Sequence, residues 1–399
     1  MLQRMQLEEI SELLNMLSAL VPLAPTLLMK RQIAAIALSL LLVAIDLGTY
    51  VKPPLIPVNN QNRDRQLNSF SDEECDRELR FTRVEIQAIL TELHLPQSFT
   101  MDNGLRVDGE SAFLYFLYRM HYPNTLAMGQ EMWGREYSEL DRIYNFMTDN
   151  LFERYSHCVL NNFDWLQTRY DLYNRKICEL YARTAANPNP GTVPGNLCRD
   201  FCYMDGTADR ICKPSGAVAG FRNVQNAFWN RYKRHHILNW LGFSWPDGLL
   251  TLDGPFPGFY TDHVSWISST AKVLLERVMR TRVETGFASL NVRCDKLFFP
   301  DEVLKPMFSR RNGNLQDWML EENSIASAGR VSNEWDFGGV TSTYKFINVP
   351  FSRKLLESAV SKQYILAAFL YNCKVCLAGS NCSYHFGLEP PTLRDYLSQ

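Results

Sequence analysis

Short apolar runs that end beside acidic residues, all after Gly195, constrain this 399-residue chain more than any other feature. Phe201 to Asp205 is one such run and reaches an Asp-Gly pair. His236 to Trp245 and Leu249 to Leu252 flank Pro246-Asp247-Gly248, whose turn residues predict a hairpin. Asp262 to Glu284 carries helical periodicity, and Ala288 to Cys294 reads as a further strand arriving at Asp295. The order strand, hairpin, helix, strand predicts a mixed α/β domain. In this reading Gly206 lets the chain turn away at the end of its strand and leaves the Asp205 carboxylate in a crevice, and Asp295 ends its own strand in the same way.

Upstream the pattern is helical. Leu140, Ile143, Tyr144, Met147 and Leu151 recur at helical spacing after Ser138, with Asp141 placed to complete a variant capping box. A shorter apolar helix, Leu126 to Trp133, precedes it across Gly134. The pair reads either as a helix-turn-helix that enters a DNA groove or as a plain helical hairpin. Residues 52–66 and 184–195 are rich in Pro, Asn and Gly and read as linkers. The expected organisation is therefore an apolar N-terminal extension and linker over 1–65 and an all-α domain over 66–195. A catalytic α/β domain follows over 196–372, and a C-terminal tail over 373–399. The apolar run Ile33 to Ile45 is 13 residues long, short of the roughly 20 that span a bilayer, and is expected to be a helix packed against the protein or a second copy, with a membrane anchor as the alternative.

Ninety positions separate Asp205 from Asp295, so only a fold brings them together. Carboxylates clustered without balancing cations repel, and a bound divalent metal is the usual resolution. The competing reading of any one Asp-Gly pair is a simple turn. From Arg210 to Pro246 the chain carries Arg210, Lys213, Arg222, Arg231, Lys233 and Arg234 with His235 and His236, and no Asp or Glu. Interleaved with Phe228, Trp229 and Tyr232, this block suits phosphate contact and base stacking, or else is a solvated surface hairpin. The whole chain has a net charge of −2, which excludes a polycationic tail protein. Ten cysteines are too few for a disulfide scaffold. Cys373, Cys376, Cys382 and His385 fall within thirteen positions and read as a structural zinc site or as buried free thiols. No nucleophile elbow, Walker loop or dinucleotide fingerprint occurs.

Five segments in order resemble the PIF/Harbinger transposases and their domesticated nuclease relatives, of the DDE type. Met204-Asp205-Gly206-Thr207 with Ile211-Cys212-Lys213-Pro214 is similar to the first-aspartate motif. Tyr232-Lys233-Arg234-His235-His236 resembles the basic block, and Pro257-Gly258 through Asp262 the Pro-Gly…Asp element. Cys294 to Pro300 resembles the second-aspartate motif, and Arg330 to Gly338 the segment bearing the glutamate.

The resemblance implies an RNase H-like fold in which Asp205, Asp295 and Glu334 are catalytic and, with Asp262 in support, hold two Mg²⁺ or Mn²⁺ ions for in-line displacement at a phosphodiester. It implies double-stranded DNA as substrate, both at terminal inverted repeats and at the target. It also implies a Myb-like DNA-binding partner, a homo-oligomer and a nuclear location. DNA contacts are expected from Lys213, Arg222, Arg231, Lys233, Arg234, His235 and His236. Two departures stand out: Cys294 replaces the usual glycine, and Gly338-Gly339 falls where the family continues a helix. These glycines predict a shorter or looser helix around Glu334. They also motivate an alternative function, a domesticated or decayed copy that binds DNA or protein without cutting.

Overall fold

The computed structural model describes residues 62–185, 197–214, 224–310, 313–355 and 357–399, with the backbone also followed at 217–218 and 221–222. The apolar run Ile33 to Ile45 and most of both linkers lie outside these residues.

Val58–Gln399 forms one compact unit. Its first part contains α1 (Arg83–Leu93), the antiparallel pair β1 (Ser98–Thr100) and β2 (Arg106–Asp108), then α2 (Gly109–His121), α3 (Leu126–Trp133), α4 (Tyr137–Tyr155) and α5 (Tyr170–Thr184). The stripe read from sequence is the buried face of α4: Leu140, Ile143, Tyr144, Met147 and Leu151 are all in the core. The capping box is not formed. The left-handed turn at Gly134 lets α4 start at Tyr137 with Glu136 as its cap, so Ser138 is already inside the first turn. Trp133, Gly134 and Arg135 are buried, and Arg135 pairs with Asp64 at 2.7 Å and Glu139 at 3.3 Å. Along the exposed side of α4 and its cap lie Glu136, Asp141, Asp149 and Glu153 against Arg142. Asp149 is paired there with Lys362, and the two helices α3 and α4 pack as a helical hairpin.

The second part holds the main sheet: β3 (Asp200–Arg210), β4 (Trp229–Asn230), β5 (His235–Ser244), β6 (Leu250–Pro257), β7 (Asn291–Cys294) and β8 (Leu304–Pro306). Strand β3 pairs antiparallel with β5 and parallel with β7. Strand β8 adds parallel to β7, β6 antiparallel to β5, and β4 beside the start of β5. The predicted β5–β6 hairpin is present. The single helix expected over 262–284 is two, α6 (Asp262–Ile267) and α7 (Thr270–Glu284), because Ser268 leaves the helix and Ser269 caps the next one, accepting from the Lys272 N–H.

Helix α8 (Asp317–Thr343) crosses the sheet, followed by α9 (Val360–Ala378), α10 (Asn381–Phe386) and α11 (Leu393–Leu397). One hydrophobic cluster runs from Leu67 to Tyr396 through helices and sheet alike. Two expected divisions therefore fail as structural boundaries. The region over 66–195 carries a β-hairpin and shares the core of the sheet, and the boundary at 372/373 falls inside α9. The expected tail is packed: Tyr396 is fully buried and its hydroxyl donates to the Cys158 carbonyl at 3.2 Å.

Helix α8 runs unbroken through Gly338-Gly339, against the expectation from these residues. At Gly339 a Cβ would lie 2.5 Å from the Tyr371 ring, so α8 and α9 approach more closely than any other residue permits. At Gly338 nothing stands within 4 Å. Gly338→Ala should therefore stabilise the protein by up to about 1 kcal/mol, by helix propensity. Gly339→Ala should destabilise it by about 1–3 kcal/mol through overpacking. Urea unfolding of the two variants reads both, and a gain at both positions would refute the close-packing account.

Candidate active site

Asp205 lies in the middle of β3, not at its end. The strand continues for five residues beyond it, and Gly206 serves a different purpose from the turn read in the sequence. A Cβ at Gly206 would lie 2.2 Å from Asp262 Oδ1. The missing side chain is what admits the Asp262 carboxylate, from the start of α6, onto the strand beside Asp205. Asp295 reaches the same region from the other side. Met204 and Cys294 are partners across the parallel β3–β7 pair, so Asp205 and Asp295 follow one another on neighbouring strands. Cys294 is a buried strand residue there and leaves this register intact.

Arg330 on α8 donates to Asp205 Oδ2 at 3.2 Å, and the Gly206 N–H donates to Oδ1 at 2.8 Å. Burial lifts the Asp205 carboxyl against these two contacts, with repulsion from Asp262 and Asp295 adding to it, to a pKa of about 6. Burial, and then Asp295, raises Asp262, while Lys233 opposes the rise. The three aspartates thus share one field, and Lys233 brings the basic block to its edge.

Glu334 lies on α8. It is exposed one turn beyond Arg330, about 40° around the helix from it. Phe337 on the same side packs over Gly242, the β5 partner of Asp205, where a Cβ would lie 2.3 Å from the ring. Glu334 therefore lies on the same side of α8 as Arg330 and Phe337. Among the described residues, no three His, Cys, Asp or Glu side chains are grouped tightly enough to hold a metal ion. The donor chemistry of the Asp205, Asp262 and Asp295 cluster nevertheless fits a hard divalent cation, since the carboxylates supply oxygen only and repel one another.

The basic block forms the β4–β5 turn. Arg231, Tyr232, Lys233, Arg234 and His235 are exposed, with Tyr232 at 93%. Asn230 Oδ1 accepts the backbone N–H groups of Tyr232 and Lys233 and fixes the turn, while Arg234 takes a left-handed conformation. His236 is half-buried; burial and Lys213 both lower its pKa. Lys213 is exposed, and the side chain of Arg222 is not among the described ones. All ten cysteines are unpaired. Cys373 and Cys376 lie on α9, whereas on α10 the Cys382 thiol donates to the Trp245 carbonyl and His385 Nε2 meets the Ala328 carbonyl at 2.9 Å. Among the described residues these four do not form a group that could hold a metal ion, and the thiols are buried or half-buried.

With the acids on β3, α6 and the end of β7, comparison with known proteins is informative. Residues 204–372 match the DDE superfamily endonuclease family. The matched stretch begins one residue before Asp205, ends within α9 and contains Asp262, Asp295, Arg330 and Glu334. No curated protein and no solved structure matches the chain. The mixed sheet is consistent with a DDE nuclease fold.

Sequence reading missed Arg330 as the partner of Asp205, although it begins the last of the five quoted segments. It also missed Asp336, a buried acid on α8 whose Oδ1 accepts from the Tyr371 hydroxyl at 2.8 Å. Burial, offset only partly by Ser244 and Tyr371, raises its pKa to about 8. The folded-state value lies above the ordinary carboxylate value, so the folded state prefers the protonated acid. Its favourable contribution is complete below about pH 4 and erodes as pH rises towards 8, by up to about 1.4 kcal/mol per unit. Asp336→Asn should flatten the alkaline side of the stability profile measured by urea unfolding between pH 5 and 9. An unchanged profile would show that Asp336 ionises freely in the folded protein.

Proposed function

We propose that the chain is a divalent-metal-dependent DNA endonuclease and transposase of the PIF/Harbinger type, with an RNase H-like catalytic domain. The observation that carries this is the convergence of Asp205, Asp262 and Asp295 at a cationic turn, within the stretch that matches DDE superfamily endonucleases. In this reading Asp205 and Asp295 with Glu334 hold Mg²⁺ or Mn²⁺, supported by Asp262. When bound, the ions supply charge neutralisation at the scissile phosphate and activation of the attacking oxygen. Asp205 lies on β3, Asp295 directly follows the neighbouring β7, and Glu334 lies along α8. Arg330 balances Asp205, and Lys233 with Arg231 and Arg234 draws the phosphate backbone to the edge of the site. The reading extends to terminal inverted repeats and target DNA as substrates, a Myb-like partner, assembly with further copies, and action in the nucleus.

Nicking of supercoiled plasmid by the purified protein tests it. Relaxation in Mg²⁺ or Mn²⁺ that stops on adding EDTA is the expected result, and no cleavage with either metal would overturn the enzymatic reading. A second reading, a copy that binds DNA without cutting, is favoured by the exposure of Glu334. The same assay separates the two when paired with a binding measurement. Replacing Arg231, Lys233 and Arg234 together with Ala should lower DNA affinity across sequences and reduce the slope of log K against log salt by about 3, one counterion per lost phosphate contact. An unchanged slope would remove this turn from the DNA interface.

A further inference from the structure

A cavity of about 410 Å³ opens in the loop that follows Asp295, and no residue of the proposed reaction lines it. Its walls include Lys296, Phe298, Phe299, Lys305, Phe308 and Met319. Two connections place it against the acidic centre. Lys296 follows Asp295 directly, and its N–H donates to Asp295 Oδ1 at 2.7 Å. Phe299 packs edge-on against the ring of His263, with centroids 4.6 Å apart, and His263 follows Asp262. On the far side Phe308 meets the exposed Trp318 at 5.1 Å. Phe299 is 55% exposed at the cavity. The described lining holds two lysines and no carboxylate.

Aromatic walls with flanking cations match one chemistry in particular: a flat π-face joined to phosphate on both sides. The volume falls within the usual range of small-ligand sites, about 300–1,000 Å³. We infer that the cavity seats one unstacked nucleobase of the DNA strand whose phosphate lies at the carboxylates, with Lys296 and Lys305 on the flanking phosphates. This rests on the endonuclease reading and assigns its substrate a second point of attachment. A base paired within a duplex is already stacked and must be extruded, whereas an unpaired terminal base is free to enter. The site therefore selects strand ends that carry unpaired nucleotides.

The test uses the full-length protein in EDTA, with a DNA duplex bearing a single-stranded overhang labelled with 2-aminopurine and a blunt duplex of the same sequence. Binding should quench the overhang fluorophore. Phe299→Ala and Phe308→Ala should remove the quench and weaken binding of the overhang duplex about tenfold, with blunt-duplex affinity unchanged. Phe299→Trp should restore both. Phe299 is surface-exposed, so its variants keep the test sound if Phe308→Ala fails to fold. An unaltered quench in Phe299→Ala, or equal losses for blunt and overhang duplexes, would overturn the base seat. Metal-dependent nicking with no quench overturns the seat alone. A quench without nicking supports the seat and overturns the endonuclease reading alone.

Discussion

Asp205→Asn is expected to reduce metal-dependent cleavage on the order of a thousandfold or more, equivalent to about 4 kcal/mol of transition-state stabilisation. Asp295→Asn should do the same. The amide keeps the shape of each side chain and removes the charge on which cation binding depends. Stability supplies an independent reading. Burial and two neighbouring acids hold the Asp205 carboxyl at a pKa of about 6, so its ionised form is a burden on the fold above that pH. A neutral amide removes the burden, and Asp205→Asn should raise the urea midpoint at pH 7.5 while abolishing activity. A variant that nicks plasmid as fast as the parent would end the assignment of Asp205.

The second large effect lies beneath the site. Arg293 on β7 donates through Nε to Asp200 Oδ2 at 2.7 Å and through Nη2 to Oδ1 at 3.2 Å, and Arg293 Nη1 reaches Glu322 at the start of α8 at 3.4 Å. All three side chains are essentially inaccessible to water. The network ties β3, β7 and α8 together two residues before Asp295 and five before Asp205. Asp200→Asn leaves the guanidinium short of a charge partner in the interior and should cost about 3–5 kcal/mol. Arg293→Met in the same chain removes the stranded guanidinium and leaves Glu322 as the remaining unpaired charge, so the double variant should lose less than the sum of the two single losses. Chemical denaturation of the single and double variants measures the coupling. Strictly additive losses would mean that the pair is not the clamp described here.

Local signals were legible in the sequence where one face of one element decides the structure. The α4 stripe and the β5–β6 hairpin follow from periodicity and turn residues, since each is set by neighbours a few positions away. Gly206 and Gly339 were misread for a common reason. A glycine that makes a turn, one that weakens a helix and one that admits another side chain look the same in one dimension, and only the approach of Asp262 or Tyr371 tells them apart. The Asp200–Arg293 pair, 93 positions apart, carries no local mark at all. The resemblance to DDE nucleases pointed to Asp205, Asp262 and Asp295 as members of one cluster. It implies Glu334 in the same site; on α8, Arg330 pairs with Asp205 and Glu334 is exposed.

Gly206 also separates inheritance of the fold from inheritance of the chemistry. Its position in β3, paired with Leu241, is ordinary extended strand, and the ladder itself accepts a side chain there. The three atoms nearest an added Cβ all belong to the Asp262 carboxylate. A single codon change at this position would evict one acid from the cluster while strands, helices and the cationic turn persist. On the proposed function, a lineage of such chains loses catalysis in one mutational step while the surface proposed to hold DNA is kept.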